Sequence, residues 1–212
     1  MTIKTILFDL DGTLIQTPEI ILSTFKELFD HYIPEVDLTD TLLSSFLGQT
    51  LFKTFENYVD DPKKVDELVE IYRKISEEKI DQGLYAYPGA KELLIYLKNK
   101  GIKIGVVTSK LRPVAQAHLV KTDLFEYIEG LIGYEDVTHH KPDPEPIEKG
   151  LLLFQSKKTE TLYVGDHEND IIAAKKAGIL TCAVSYSLRL QEMLFVNPDF
   201  VIDELKHIKD LV

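Results

Sequence analysis

The chain has 212 residues, 44% of them hydrophobic and 28% charged, with a formal net charge of -11. That length buries a full core as one domain, or as one domain carrying a smaller inserted one. The acidic balance, with no visible basic patch, argues against a nucleic acid or an anionic membrane surface as partner, and no apolar run is long enough to cross a bilayer.

Met1-Thr2-Ile3-Lys4 leads directly into a strand-like run rather than a signal peptide. The single Cys182 sits in the apolar run 180–184 and reads as a buried, inert thiol, so a cytoplasmic location is expected.

The first predicted element is Ile6-Leu7-Phe8, an apolar run that delivers Asp9 and Asp11 to a turn at Gly12-Thr13. Side chains two apart on a strand share a face, so the two carboxylates start on one side of the backbone, and anions that close repel. Such a pair is relieved by a cation between them or by a proton on one of them, arrangements commoner in catalytic sites than in scaffolding. Turn chemistry is a second account of Asp11, since Asp-Gly is a common turn dipeptide, but it leaves Asp9 unexplained.

Residues 19–32 carry apolar groups at Ile20, Ile21, Phe25, Leu28 and Phe29, a helical stripe just past Thr17-Pro18. Helical patterns continue through 39–46, 51–58 and 62–79, with Gly48-Gln49-Thr50 as a turn. This block differs from the strand-first start, so residues 16–82 are read as an inserted helical cap on a core made of 1–15 and 83–212.

From Pro88 the pattern becomes βα repeats. A helix over 89–100 stops at Gly101, and 102–107 is a strand ending at Thr108-Ser109-Lys110. A helix over 113–120 follows, then a weaker strand over 128–132, and 134–146 is a loop long enough to be functional. Helices over 147–154, 169–177 and 188–195 alternate with strands over 161–164, 181–184 and 200–202. The expected class is α/β: a doubly wound, Rossmann-like parallel sheet covered by helices on both faces.

Right-handed crossovers bring the strand carboxyl ends to one edge, where ligands bind in open α/β sheets. Asp9 and Asp11, Thr108-Ser109-Lys110, and Asp166 with Asp170 all fall there. Each has a plainer reading. Thr108 and Asp166 precede predicted helices and suit N-caps, Lys141 before Pro142 suits a solvated loop, and Asp170 suits the positive end of its helix. His139 and His140 lack a Cys or Glu partner at metal-ligand spacing and read as solvated loop histidines.

Taken together, Asp9-Leu10-Asp11-Gly12-Thr13, then Thr108, then Lys141 in His139-His140-Lys141-Pro142-Asp143-Pro144, then Gly165-Asp166 and Asp170, resemble the four ordered motifs of the haloacid dehalogenase-like hydrolase superfamily. A helical insertion after the first motif belongs to the same resemblance, which covers essentially the whole chain. It implies that Asp9 is a nucleophile forming an aspartyl-phosphate and that Asp11 protonates the leaving oxygen and then activates water.

It also implies a Mg²⁺ cofactor held by Asp9, Asp166, the backbone carbonyl of Asp11, and Asp170 directly or through water. Thr108, Ser109 and Lys141 would bind the phosphoryl group. His167 stands where many relatives have a small residue, so no role carries over to it.

An aspartate at position 11 separates this chain from the superfamily's dehalogenases, whose halide leaving group needs no proton. Mutases keep both aspartates, and a catalytically silent regulatory relative has no physical reason to retain mutually repelling carboxylates. The stretches 7–32, 133–150 and 196–208 are similar to the superfamily's pyrophosphatases, with phosphoglycolate phosphatases next. The implied partner is a small anionic phosphate, its choice set by the cap and its 48–50 loop. A monomer or weak homodimer is expected.

Overall fold

The computed structural model describes residues 2–212, which form a parallel sheet flanked by helices together with a separate helical unit. In chain order the elements are β1 (Thr5–Phe8), α1 (Pro18–Tyr32), α2 (Asp40–Ser44), α3 (Leu51–Glu56), α4 (Pro62–Gln82), α5 (Ala90–Asn99), β2 (Lys103–Val107), α6 (Arg112–Lys121) and β3 (Gly130–Ile132). There follow α7 (Glu145–Phe154), β4 (Thr161–Gly165), α8 (Glu168–Ala177), β5 (Leu180–Val184), α9 (Leu190–Phe195) and β6 (Phe200–Ile202). Among the described residues no helix is long and apolar enough to cross a membrane.

The six strands run in the order β3-β2-β1-β4-β5-β6, and every pairing is parallel. β1 is central and buried at all four positions, which is why its sequence is apolar without alternation. The order reverses beside it, with β2 and β3 on one side and β4, β5 and β6 on the other. The crevice of such a sheet opens at the carboxyl ends of the strands flanking the reversal, here β1 and β4. One face of the sheet packs Leu7, Val107 and Tyr163 against Ile147, Leu151 and Phe154 of α7 and Ala173, Ala174 and Ala177 of α8.

The chain divides into two compact units, Met1–Gln16 with Tyr85–Val212, and Thr17–Leu84. The second is all helix, and its core is aromatic: Phe25, Phe29, Phe46 and Phe55 are buried together with Tyr72. Phe25 lies 4.9 Å from Phe46 and 4.6 Å from Tyr72 between ring centroids, distances at which aromatic pairs contribute beyond their buried area. Gly48 takes φ +70° in the predicted turn, and Thr50 caps α3 by accepting the Lys53 N–H at 3.3 Å.

Within the sheet unit, a short clamp joins the two segments that border the helical one. Ile15 and Ala86 form an antiparallel bridge, with Gln16 N–H donating to Tyr85 O at 2.8 Å and Tyr87 N–H to Leu14 O at 2.9 Å.

Several element bounds differ from expectation for identifiable reasons. α7 starts at Glu145 rather than at 147, because Pro146 falls in its first turn, where no N–H donor is required. The strand expected over 128–132 is confined to Gly130–Ile132. Glu129 is spent on β2 instead, its N–H donating to Ile104 O and its carboxylate accepting the Ile104 N–H at 3.1 Å. The helix expected from 188 begins at Leu190, since Ser187 Oγ takes the Arg189 N–H in a preceding turn. The helix expected over 39–46 is only Asp40–Ser44.

Candidate active site

β1 extends by one residue into the crevice, the Asp9 N–H donating to Val164 O of β4 at 2.9 Å, so the Asp9 carboxylate is carried on a rigid central strand. The chain then turns, Gly12 N–H donating to Ile15 O and Leu14 N–H to Leu10 O, both at 3.0 Å. Gly12 has φ +77°, and a Cβ there would overlap Asp166 Oδ2. This glycine is therefore required twice, by its backbone angle and by the carboxylate pressed against it.

Gly12→Ala is expected to lose at least about 2 kcal/mol of stability in urea unfolding, from the left-handed penalty and the overlap together. A loss under about 0.5 kcal/mol would show that Asp166 can move aside.

Asp9, Asp166 and Asp170 are all buried, and each places a carboxylate oxygen within 4.8 Å of the other two. Lys141 Nζ stands among them, donating to Asp9 Oδ1 at 2.7 Å, Asp170 Oδ1 at 2.6 Å and Tyr163 Oη at 3.1 Å. Its side chain is only 5% exposed, so the solvated-loop reading of Lys141 is overturned. Tyr163 Oη passes the network on by donating to Val107 O at 2.8 Å.

One ammonium does not balance three buried carboxylates. Burial, opposed by Lys141 and reinforced by Asp170 and Asp11, holds Asp9 up at about 7. Asp166 is pushed well above the usual carboxylate range by burial and by Asp9 and Asp170. Burial acts to lower the Lys141 ammonium, but Asp170 and Asp9 more than reverse it and hold the lysine charged well above its ordinary range. The site is short of positive charge.

The capping alternatives resolve differently for each residue. Thr108 follows β2 and does not cap a helix: its Oγ1 accepts the Lys110 N–H at 3.2 Å in a turn, and Leu111 occupies the N-cap of α6. Asp166 does not cap either. His167 is the N-cap of α8, its Nδ1 accepting the Asn169 N–H at 3.0 Å, and Asp170 returns a bond by accepting the His167 N–H at 3.1 Å. Asp170 sits at the positive end of its helix as expected, closing the capping box with one oxygen, and holds Lys141 with the other.

Asp166 Oδ1 accepts from Thr13 Oγ1 at 3.3 Å. Because His167 Nδ1 accepts, its proton sits on Nε2, which is buried without a protein partner. Ser109 is half-buried beside Thr108 and joins none of the site's carboxylates.

Asp11 stands slightly apart, its side chain 20% exposed, with Oδ1 accepting from Lys110 Nζ at 2.8 Å. Lys110 Nζ is also 3.2 Å from Nδ1 of His118, a buried residue of α6. Sequence reasoning placed Lys110 on this rim and Thr13 in the turn without roles, and missed His118 and Tyr163. Of the two missed residues only Tyr163, a hydroxyl-bearing aromatic between Leu162 and Val164 in a buried strand, carries a local signal.

His139 is solvated as expected, its side chain 71% exposed, but it does have a glutamate partner. Its N–H and ring Nδ1 both reach Glu145 Oε2, at 2.7 and 3.0 Å. That glutamate is drawn down to about 2 by the backbone N–H groups of Thr138 and His139 and by Lys149, so it braces the loop. His140 stacks on Tyr134 with centroids 4.2 Å apart.

Residues 6–184 match the family of haloacid dehalogenase-like hydrolases. The chain is 38% identical to pyrophosphatase PpaX of Anoxybacillus flavithermus over 213 aligned residues, covering 100% of this chain and 98% of that protein. It is also 38% identical to pyrophosphatase PpaX of Bacillus mycoides, covering 97% and 94% respectively. A predicted phosphoglycolate phosphatase from Haemophilus somnus shares the fold, with a TM-score of 0.88 at 22% identity over 100% of this chain and 98% of that one. With its acid-rich rim and this match over most of its length, the chain belongs to the haloacid dehalogenase-like hydrolase family.

Proposed function

We propose that the protein is a Mg²⁺-dependent phosphatase that hydrolyses inorganic pyrophosphate through an aspartyl-phosphate on Asp9. The observation that carries this is the under-compensated acid cluster. Asp9, Asp166 and Asp170 are buried together beside a single ammonium, and Asp11 is held just outside them. An all-oxygen donor set with excess negative charge suits a hard divalent cation and lacks the nitrogen and sulfur ligands that favour zinc. Asp9 and Asp166 would hold the ion, with the Asp11 carbonyl, and Asp170 directly or through water. Bound Mg²⁺ supplies the charge that lets a carboxylate approach an anionic phosphoryl group.

The rest is the work of side chains. Asp9 attacks phosphorus from a fixed strand end, and Lys141 offsets charge on Asp9 and on the phosphoryl oxygens. Thr108 donates its hydroxyl hydrogen to one of those oxygens, its acceptor side being used by Lys110 N–H. Asp11 gives a proton to the leaving oxygen as the P–O bond breaks, then takes one from the water that releases phosphate from Asp9. The choice of pyrophosphate rests on the full-length likeness to the PpaX pyrophosphatases.

The test is a comparison of kcat/KM for pyrophosphate, phosphoglycolate and a panel of phosphomonoesters. Pyrophosphate is expected to lead, and a higher value for phosphoglycolate would replace it as the substrate. Chelation by EDTA is expected to abolish turnover and Mg²⁺ to restore it.

Metal-free stability supplies a second readout. Asp9 titrates near 7 when folded and near 4 when unfolded, so the folded state holds an extra proton between these values. That contribution is full below about pH 4 and lost as pH rises through 7. Mg²⁺ competes for the same carboxylates, so its elevation of Tm is expected to be larger at pH 8 than at pH 5. Equal elevation at both would remove the ion from this cluster.

A further inference from the structure

Asp11 is not left to find its own orientation. Lys110 Nζ lies 2.8 Å from Asp11 Oδ1 and 3.2 Å from His118 Nδ1, giving a three-member chain that runs from the rim into the protein. His118 is 6% exposed and shares the buried face of α6 with Ala115 and Leu119, a position where an apolar side chain would pack without any polar requirement. A buried imidazole among such neighbours carries a desolvation cost that is relieved only by a partner. Lysine has donors and no acceptor, so an imidazole nitrogen facing it must be the unprotonated one.

We infer that Lys110 and His118 are positioning residues for Asp11. His118 accepts from the ammonium and fixes it, and the ammonium fixes one oxygen of the Asp11 carboxyl. This rests on the proposed phosphatase reading, within which Asp11 is the proton donor. Lys110's hold on Oδ1 sets the plane of the carboxyl group and hence the direction of its second oxygen.

In the first half-reaction an Asp9 oxygen bonds to phosphorus as the bond from phosphorus to the leaving oxygen breaks. The bonding pair passes to the leaving oxygen, which receives the Asp11 proton. Asp11 finishes as a carboxylate, the form to which the Lys110 ammonium donates at 2.8 Å.

The environment of His118 is consistent with an acceptor. Burial, then Lys110 and Lys121, lower it to about 4 against a raising influence from Asp11, so the ring is neutral at neutral pH.

The test pairs a spectroscopic with a kinetic readout on the full chain. In ¹⁵N NMR of the wild type, His118 is expected as the Nε2–H tautomer with Nδ1 unprotonated, and the Nδ1 signal is expected to move in Lys110→Met. An Nδ1–H tautomer would overturn the contact.

Kinetically, alignment of a proton donor matters for a basic leaving group and little for a good one. Lys110→Met is expected to slow a simple alkyl phosphate by about tenfold to a hundredfold and p-nitrophenyl phosphate by no more than about threefold. His118→Leu is expected to show the same selectivity. His118→Asn, whose Oδ1 can take the place of Nδ1, should recover most of it. Equal loss on both esters, or no rescue by asparagine in a folded variant, would reduce the pair to scaffolding. Wild-type inactivity toward every phosphate tried would instead sink the phosphatase reading, a result separable from the NMR outcome.

Discussion

Asp9→Asn is expected to lower kcat for pyrophosphate and for p-nitrophenyl phosphate by at least about 10⁴-fold, the scale on which removing a covalent nucleophile acts. The amide keeps the volume of the carboxylate and can still accept from Lys141, so the loss should come without collapse of the site. It should also come with a gain. Asp9 is one of three carboxylates crowded around a single ammonium, and burial already holds it at about 7. Neutralising it relieves Asp166, so the metal-free variant should melt above the wild type at pH 8. A residue whose removal costs activity while raising stability is kept for chemistry rather than for the fold. Undiminished turnover of both substrates would make the nucleophile assignment wrong.

Lys141→Met produces the opposite stability change. Methionine approximates the length of the lysine stem, so packing is largely kept and charge is what is removed. Asp9 and Asp170 then lose contacts of 2.7 and 2.6 Å to the same nitrogen. Breaking a buried pair by deleting one partner costs about 3–5 kcal/mol when the remaining charge cannot be neutralised. Here it can, by protonation, and the cost should follow pH accordingly.

At pH 5 the cluster can take up protons and the metal-free variant should lie close to the wild type in urea. At pH 8 it should fall short by about 3 kcal/mol, because stability linked to raised carboxyl groups disappears as pH climbs through their folded values. Activity should drop by at least about 10²-fold, as for loss of one preorganised electrostatic partner. A stability loss that does not vary between pH 5 and pH 8 would show that Lys141 acts through packing instead.

The parts of this molecule that were legible in the sequence share a physical property. β1, β2, β4 and β5 have a neighbour on both sides and helices on both faces, so their runs are predominantly apolar and stand out. Asp9, Asp11, Thr108 and Asp166 were visible because each follows such a run, where topology brings strand ends together.

The edge strand β3 carries no such pattern, and Glu129 beside it serves β2 with its side chain, a use that periodicity does not reveal. Lys141 was visible only through the family resemblance, because a lysine before a proline says nothing by itself about burial. The Lys110–Asp11 pair spans 99 positions, and nothing in either segment shows that the two side chains meet. His118 looks like one more residue of an amphipathic helix until the ammonium facing it is seen. The family resemblance supplied roles for motif positions and none for Lys110 or His118, which lie between the motifs.

The clamp formed by Ile15 with Ala86, flanked by Gln16–Tyr85 and Leu14–Tyr87 hydrogen bonds, has a consequence for how such a molecule can change over time. It shuts a long excursion of the chain at its base, so the core supplies two stubs lying side by side and does not depend on the length of what is strung between them. The closure cost of that excursion grows only with the logarithm of its length, roughly 0.6 kcal/mol per doubling. The helical unit is in this sense a cassette. It can be lengthened, shortened or exchanged on the same two stubs while the strand that carries Asp9 stays where it is.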